Sequence, residues 1–229
     1  MKRPKYYPTF LFCLMALGLL TGCTHSERVA AAGLLVPSYK PQNVYNPPVD
    51  ELSPTPKENI VRVVALPLYY GPDSGPFLDR IDHSIKSEFA KRNLFEVIPL
   101  SRHDLMELFS INQLSAAAPL PANFLKTLKE KYAADGVLIT ELTYYAPYKP
   151  LAIGLRTQLI SLKSNQTLWA FDDIFDAGNP RVAAAARRFQ RSYIRNPYPL
   201  DNSANILQSP TRFSRYAANA AFSTILSNE

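Results

Sequence analysis

Thiols are nearly absent: the 229 residues contain only Cys13 and Cys23. A disulfide framework is therefore excluded as the source of stability, and so is a zinc site built on cysteine pairs. Glycine is scarce as well, at 8 residues against 20 prolines, and no GxSxG, Walker A or HExxH pattern occurs. The common hydrolase, nucleotide-binding and metalloprotease signatures thus have no foothold. Histidine is limited to His25, His83 and His103, which do not cluster. No apolar run reaches membrane-spanning length; the longest, Phe10 to Leu20, has eleven residues. Charge of one sign is also modest. The 25 bases and 19 acids give +6, but three of the bases lie in the first five residues, so nucleic-acid binding is not expected. What is present, 47% hydrophobic and 19% charged residues, suits one folded core with extensions.

Lys2, Arg3 and Lys5 followed by the Phe10–Leu20 run have the form of a secretory signal peptide, expected to occupy residues 1–22. The run ends in Leu20-Thr21-Gly22-Cys23, which resembles the lipobox of bacterial lipoproteins. That resemblance implies cleavage before Cys23, acylation of its sulfur and anchoring by more than one acyl chain. Thr24 stands where retained inner-membrane lipoproteins of enteric type usually carry Asp, so the same resemblance implies the outer membrane, with the domain in the periplasm. The remaining 207 residues would hold 22 bases and 19 acids, a net charge of +3.

Residues 23–58 then form a proline-rich tether, with Pro37, Pro41, Pro47, Pro48, Pro54 and Pro56 and neither helical nor strand periodicity. Extended, the 35 residues after Cys23 span roughly 110 Å; coiled, about 35 Å. Tyr39, Val44 and Tyr45 are the residues through which it could instead pack on its own domain.

The expected domain, 59–229, is a single α+β unit: a mixed sheet with helices packed on it, in the order β-α-β-α-α-β-β-β-α-α. Ile60 to Leu68 reads as a buried strand stopped by proline. Leu78, Ile81, Ile85 and Phe89 share a helical face, and Leu94 to Pro99 is a second strand. Ser101 and Asp104 resemble a capping box opening the next helix. Another helix begins at Pro121 and closes at Asp135-Gly136. Three strands follow, Val137–Tyr145, Leu151–Leu162 and Thr167–Phe175, joined by hairpin-length turns. Arg181 to Ile194 reads as helix, Arg195 to Gln208 as a Pro and Asn loop, and Ser209-Pro210 as the cap of a last helix.

The strand ending Ala65-Leu66-Pro67, the stretch Ala133 to Thr140 and the hairpin Leu162 to Ala170 with Trp169, taken in this order, resemble one superfamily. It includes the TolB N-terminal domain, the curli-secretion lipoprotein and the lipoprotein activators of peptidoglycan synthases. The resemblance spans about Ile60 to Phe175 plus the final helix. It implies a non-catalytic assembly, scaffold or activator role in an envelope system. Pore-forming members carry long amphipathic insertions, for which the short hairpin turns here leave no material.

Three constellations bear on chemistry. Asp172, Asp173 and Asp176 match the spacing of a magnesium-diphosphate motif, but such motifs lie on helices and these acids end a strand. Ser101, His103 and Asp104 have the residue types of a hydrolytic triad, yet neighbours within one turn cannot take its three positions. The segment 178–216 carries seven arginines, Arg181, Arg187, Arg188, Arg191, Arg195, Arg212 and Arg215, against Asp201 alone. Arginine without lysine favours bidentate contacts to carboxylate or phosphate. Arg187, Arg188, Arg191 and Arg195 fall on one helical flank, with Ala184, Ala185 and Phe189 expected toward the domain. They form the candidate anion or partner-binding surface, unless they are a solvated face or pair with Asp172, Asp173 and Asp176. No catalytic residue, cofactor or metal is expected. The expected partners are the outer membrane, through lipid on Cys23, and an envelope protein or further copies of the chain. The alternative is an envelope enzyme acting on cell-wall or lipid substrates.

Overall fold

A computed structural model describes residues 45–47, 59–71, 77–193 and 202–226. Cys23, the signal segment, most of the tether and Arg195 lie outside them. The core begins at β1 (Arg62–Ala65), whose Val63, Val64 and Ala65 are buried on both faces, as a central strand of β-branched and small residues should be. It is flanked in parallel by β2 (Glu96–Pro99) and by β3 (Gly136–Ala146). β4 (Ala152–Ser161) and β5 (Thr167–Asp176) extend the sheet as antiparallel hairpins, giving the order β2-β1-β3-β4-β5. This is the expected mixed sheet of an α+β fold, and β5 lies at one edge.

The pleat of β1 separates two cores. Val63 and Ala65 join Leu138, Leu155, Trp169, Phe171 and Phe175 beneath three helices: α1 (Phe77–Ala90), α4 (Pro180–Tyr193) and α5 (Pro210–Phe222). Val64 and Leu66 join Val137, Ile139 and Ile160 beneath α2 (Arg102–Phe109) and α3 (Phe124–Tyr132). Alternation along a single strand thus assigns helices to both faces. Leu78, Ile81, Ile85 and Phe89 form the buried face of α1 as their spacing predicts. Ser101 and Asp104 make the reciprocal capping box of α2, and their hydrogen bonds hold the Asp104 carboxyl below its ordinary value.

Several boundaries differ from the sequence expectation. The first strand keeps only four residues, because Pro67 interrupts it; Tyr69 then rejoins β3 through a bridge to Glu141. The helix expected from Pro121 starts at Phe124, and its end is Ala133 in the left-handed region (φ 47°), not Asp135-Gly136. Gly136 instead opens β3, where a Cβ would meet Ile160 O and Ile60 Cγ2 at 3.4 Å. The Asp135 carboxylate accepts from the backbone N–H groups of Arg62 and Val61, both at 3.0 Å, clamping the start of β1 and drawing its own pKa down. Within the expected loop 195–208, Asn202–Gln208 form a 3-10 segment that buries Ile206. The cap of α5 is as expected: Pro210 opens the helix and Arg212 N–H donates to Ser209 Oγ at 3.4 Å. Among the described residues no helix is long and apolar enough to cross a membrane.

Candidate functional site

The turn from β5 into α4 is built by its own polar side chains. Asp176 Oδ1 accepts from Gly178 N at 2.7 Å, and Asn179 Oδ1 accepts from Arg181 N at 2.9 Å, followed by Pro180 as the first helical residue. From there α4 buries Val182, Ala183, Ala185, Ala186 and Gln190, against the 3-10 segment and α5. A face made mostly of alanines lets a helix approach closely with little side-chain entropy to lose.

The opposite face is exposed and carries Arg181, Arg187, Arg188 and Arg191. Ala184 shares this side and is only half-buried, so of the three residues expected toward the domain, Ala185 and Phe189 face it and Ala184 does not. Arg187 and Arg188 make no ion pair among the described residues, and Arg212 on α5 is exposed. Arg215 is withdrawn from the basic set. Its Nε lies 3.1 Å from Oε1 of Glu88, a fully buried carboxylate of α1 that also takes Lys91 Nζ at 2.7 Å.

The acids of β5 do not pair with these arginines in any contact described. Asp172 sits opposite Arg156 in the register of β4 and binds its guanidinium at 2.7 Å. Asp176 caps the turn. Asp173 faces the α1/α4/α5 side with Phe171 and Phe175, and its Oδ2 accepts the hydroxyl of Tyr45, a tether residue. The Tyr45 ring stands edge-on to Phe175 at 5.9 Å and 74°, and Phe175 in turn meets Tyr216 edge-on at 5.7 Å. Burial first, and the bond to Asp173 second, hold the Tyr45 phenol well above its ordinary pKa. Tyr216 is raised by burial and then by the charge of Asp173; its buried hydroxyl has no hydrogen-bond partner among the described residues. Part of the tether therefore packs on the domain. The sequence carried a signal for it: Asp173 has the same strand parity as Trp169, Phe171 and Phe175, an acid on the inward face of a strand.

The other constellations do not assemble. Asp172 and Asp176 share one face of β5 and Asp173 the other, and among the described residues no three His, Cys, Asp or Glu side chains gather as a metal site needs. His83 and His103 are both exposed, on α1 and α2. A groove of about 400 Å³ beside α3 has Leu120, Pro121, Phe124, Leu125 and Leu162 together with Lys126 and Lys129 in its lining.

No protein-family model matches the chain, and no curated protein matches it. Among solved structures it is similar to the lipoprotein GNA1162 of Neisseria meningitidis, at 15% identity over 60% of this chain and 99% of that one, with a TM-score of 0.38. It is also similar to the hypothetical protein CT253 of Chlamydia trachomatis, at 13% identity over 73% and 99% of the two chains, TM-score 0.42. A third similar structure is the PelC dodecamer of Paraburkholderia phytofirmans, at 12% identity over 66% and 86%, TM-score 0.34.

Proposed function

We propose that the chain is a lipid-anchored protein of the bacterial outer membrane whose periplasmic domain docks an envelope component without catalysing a reaction. The signal segment and the lipobox ending at Cys23 support the anchor. The arginine flank of α4 is the observation that carries the docking role. Arg181, Arg187, Arg188 and Arg191 are aligned on an outward face, while the nearby acids of β5 are engaged with Arg156, Tyr45 and the β5–α4 turn. A row of guanidinium groups held on a helix offers bidentate donors to carboxylates or phosphates. Such exposed contacts are screened over about 10 Å at 0.1 M salt.

The test replaces Arg187, Arg188, Arg191 and Arg195 with Gln in the full chain and confirms the fold by circular dichroism. Binding to isolated cell wall, to vesicles containing anionic phospholipid and to further copies of the chain is then measured at low and moderate salt. The expected outcome is a loss of roughly tenfold or more in one of the three, largest at low salt. Unchanged binding in all three assigns the arginines to a solvated face and removes the proposal. Turnover of wall or lipid substrates by the wild-type chain would favour the enzyme reading instead.

A further inference from the structure

We infer that Asp173, Phe175 and Tyr216 form a socket for Tyr45 of the N-terminal extension, so that the domain grips its own tether and shortens the free part of it. The socket is independent of what the arginine flank binds.

An edge strand with an inward-facing carboxylate is a costly arrangement unless that charge finds a donor. Asp173 is such a residue. It lies between Phe171 and Phe175 on β5, on the face that also bears Trp169, and directly opposite it in the register is the buried Leu155. Arg156, the base on the neighbouring strand, projects to the other face and is taken by Asp172. Its Oδ1 accepts from the adjacent Ile174 N–H at 2.7 Å, and the side-chain donor that the fold supplies to Oδ2 comes from 128 residues away, the hydroxyl of Tyr45. The same side chain lays its ring edge-on against Phe175 and so covers the rim of the core where the sheet ends. One residue thus meets both demands of the rim, a donor for the acid and apolar cover for the ring beneath it. Behind Phe175, the Tyr216 ring also meets Phe189 and Phe213, all three contacts at 5.7 to 5.9 Å, so the seat is backed by β5, α4 and α5.

The consequence is for reach. With Tyr45 seated, only Thr24 to Val44, 21 residues, separates Cys23 from the domain. At about 3.1 Å per residue that is roughly 65 Å when extended, against roughly 110 Å for the whole tether.

The experiment uses the full chain in native membranes with the photoreactive benzoylphenylalanine placed at Asn46, the residue after the latch. Illumination is expected to give adducts at monomer mass whose crosslinked peptides come from 171–176 and 213–216. Tyr45→Phe, which keeps the ring and loses the donor, is expected to reduce those adducts by about tenfold, the scale of one charge-assisted hydrogen bond. Tyr45→Ala, which loses the ring as well, is expected to reduce them further, and Asp173→Asn, which keeps a neutral acceptor, to reduce them less. Unshifted Trp169 emission in each variant checks that the domain is folded. Adducts spread over unrelated surfaces, adducts to other chains, or a pattern indifferent to all three substitutions would overturn the socket.

Discussion

Glu88 is the residue at which burial and charge conflict most sharply. Its carboxylate is fully buried on α1, while its cations Arg215 and Lys91 keep 37% and 42% of their side-chain surface in water. The two sides of this ion pair therefore do not respond alike to substitution. Glu88→Gln releases two cations that are already partly hydrated and leaves an amide with good donors and acceptors, a cost of about 1 kcal/mol. Arg215→Ala leaves the buried carboxylate to Lys91 and is expected to cost about 2 to 3 kcal/mol, toward the lower end for a broken buried pair because Lys91 remains. Urea unfolding of both variants checks the order; equal losses would mean that Glu88 is compensated elsewhere. This buried acid was not legible in the sequence. Glu88 follows Ile85 by three residues on the buried side of α1; Lys91, three residues on, is a local partner, but the second cation, Arg215, comes from 127 residues further on.

Elements show the same division between local and distant causes. The faces of α1, the capping box of α2 and the cap of α5 were readable because each depends on spacing within a few residues. The end of α3 and the start of β3 were misread, since Asp135-Gly136 has the form of a helix stop. The tertiary structure instead uses Asp135 to clamp β1 and Gly136 to let Ile160 approach. The orientation of the α4 arginines followed from helical periodicity, whereas the engagement of Asp172, Asp173 and Asp176 depended on the β4 register and on Tyr45. Gly154 is a further case of a cause outside its own strand. The register of β3 and β4 shifts between Leu142 and Tyr144, and the extra residue presses toward Gly154. A Cβ there would stand 2.4 Å from Thr143 Oγ1 and 3.0 Å from the Tyr144 backbone nitrogen. The hydroxyl can turn away but the backbone cannot. Gly154→Ala is expected to lower stability by about 1 to 3 kcal/mol through forced displacement of the bulge, measured by the midpoint of thermal unfolding. A neutral or stabilising effect would show that the bulge yields freely.

At the scale of the whole molecule the question is where the folded unit begins. By composition the unit starts near residue 59, because the proline-rich stretch before it carries no periodicity. The packing of the chain divides it after Gln42, with Asn43 to Glu229 forming one unit. The difference is carried by Tyr45, whose hydroxyl binds Asp173 and whose ring covers Phe175. A fragment of residues 43–229 should therefore unfold at a higher temperature than one of residues 58–229. The shorter fragment retains every described strand and helix and should still fold cooperatively. What it loses is a half-buried aromatic ring and one hydrogen bond to a carboxylate, together about 2 to 3 kcal/mol. For a domain of this size each kcal/mol moves the midpoint by roughly 2 to 4 °C, so the expected gap is about 4 to 12 °C. Trp169 is a suitable reporter, because it is 7% exposed, its Nε1 donates to Thr224 Oγ1 at 3.0 Å, and it stacks on Phe171 beneath the same helices. The comparison also separates the latch from general chain length. Tyr45→Ala within the 43–229 fragment should bring its midpoint close to that of 58–229. If the two fragments unfold together, the folded unit begins at β1; if the substitution leaves the gap in place, the added stability comes from residues 43–57 other than Tyr45, and either result removes the role given to Tyr45.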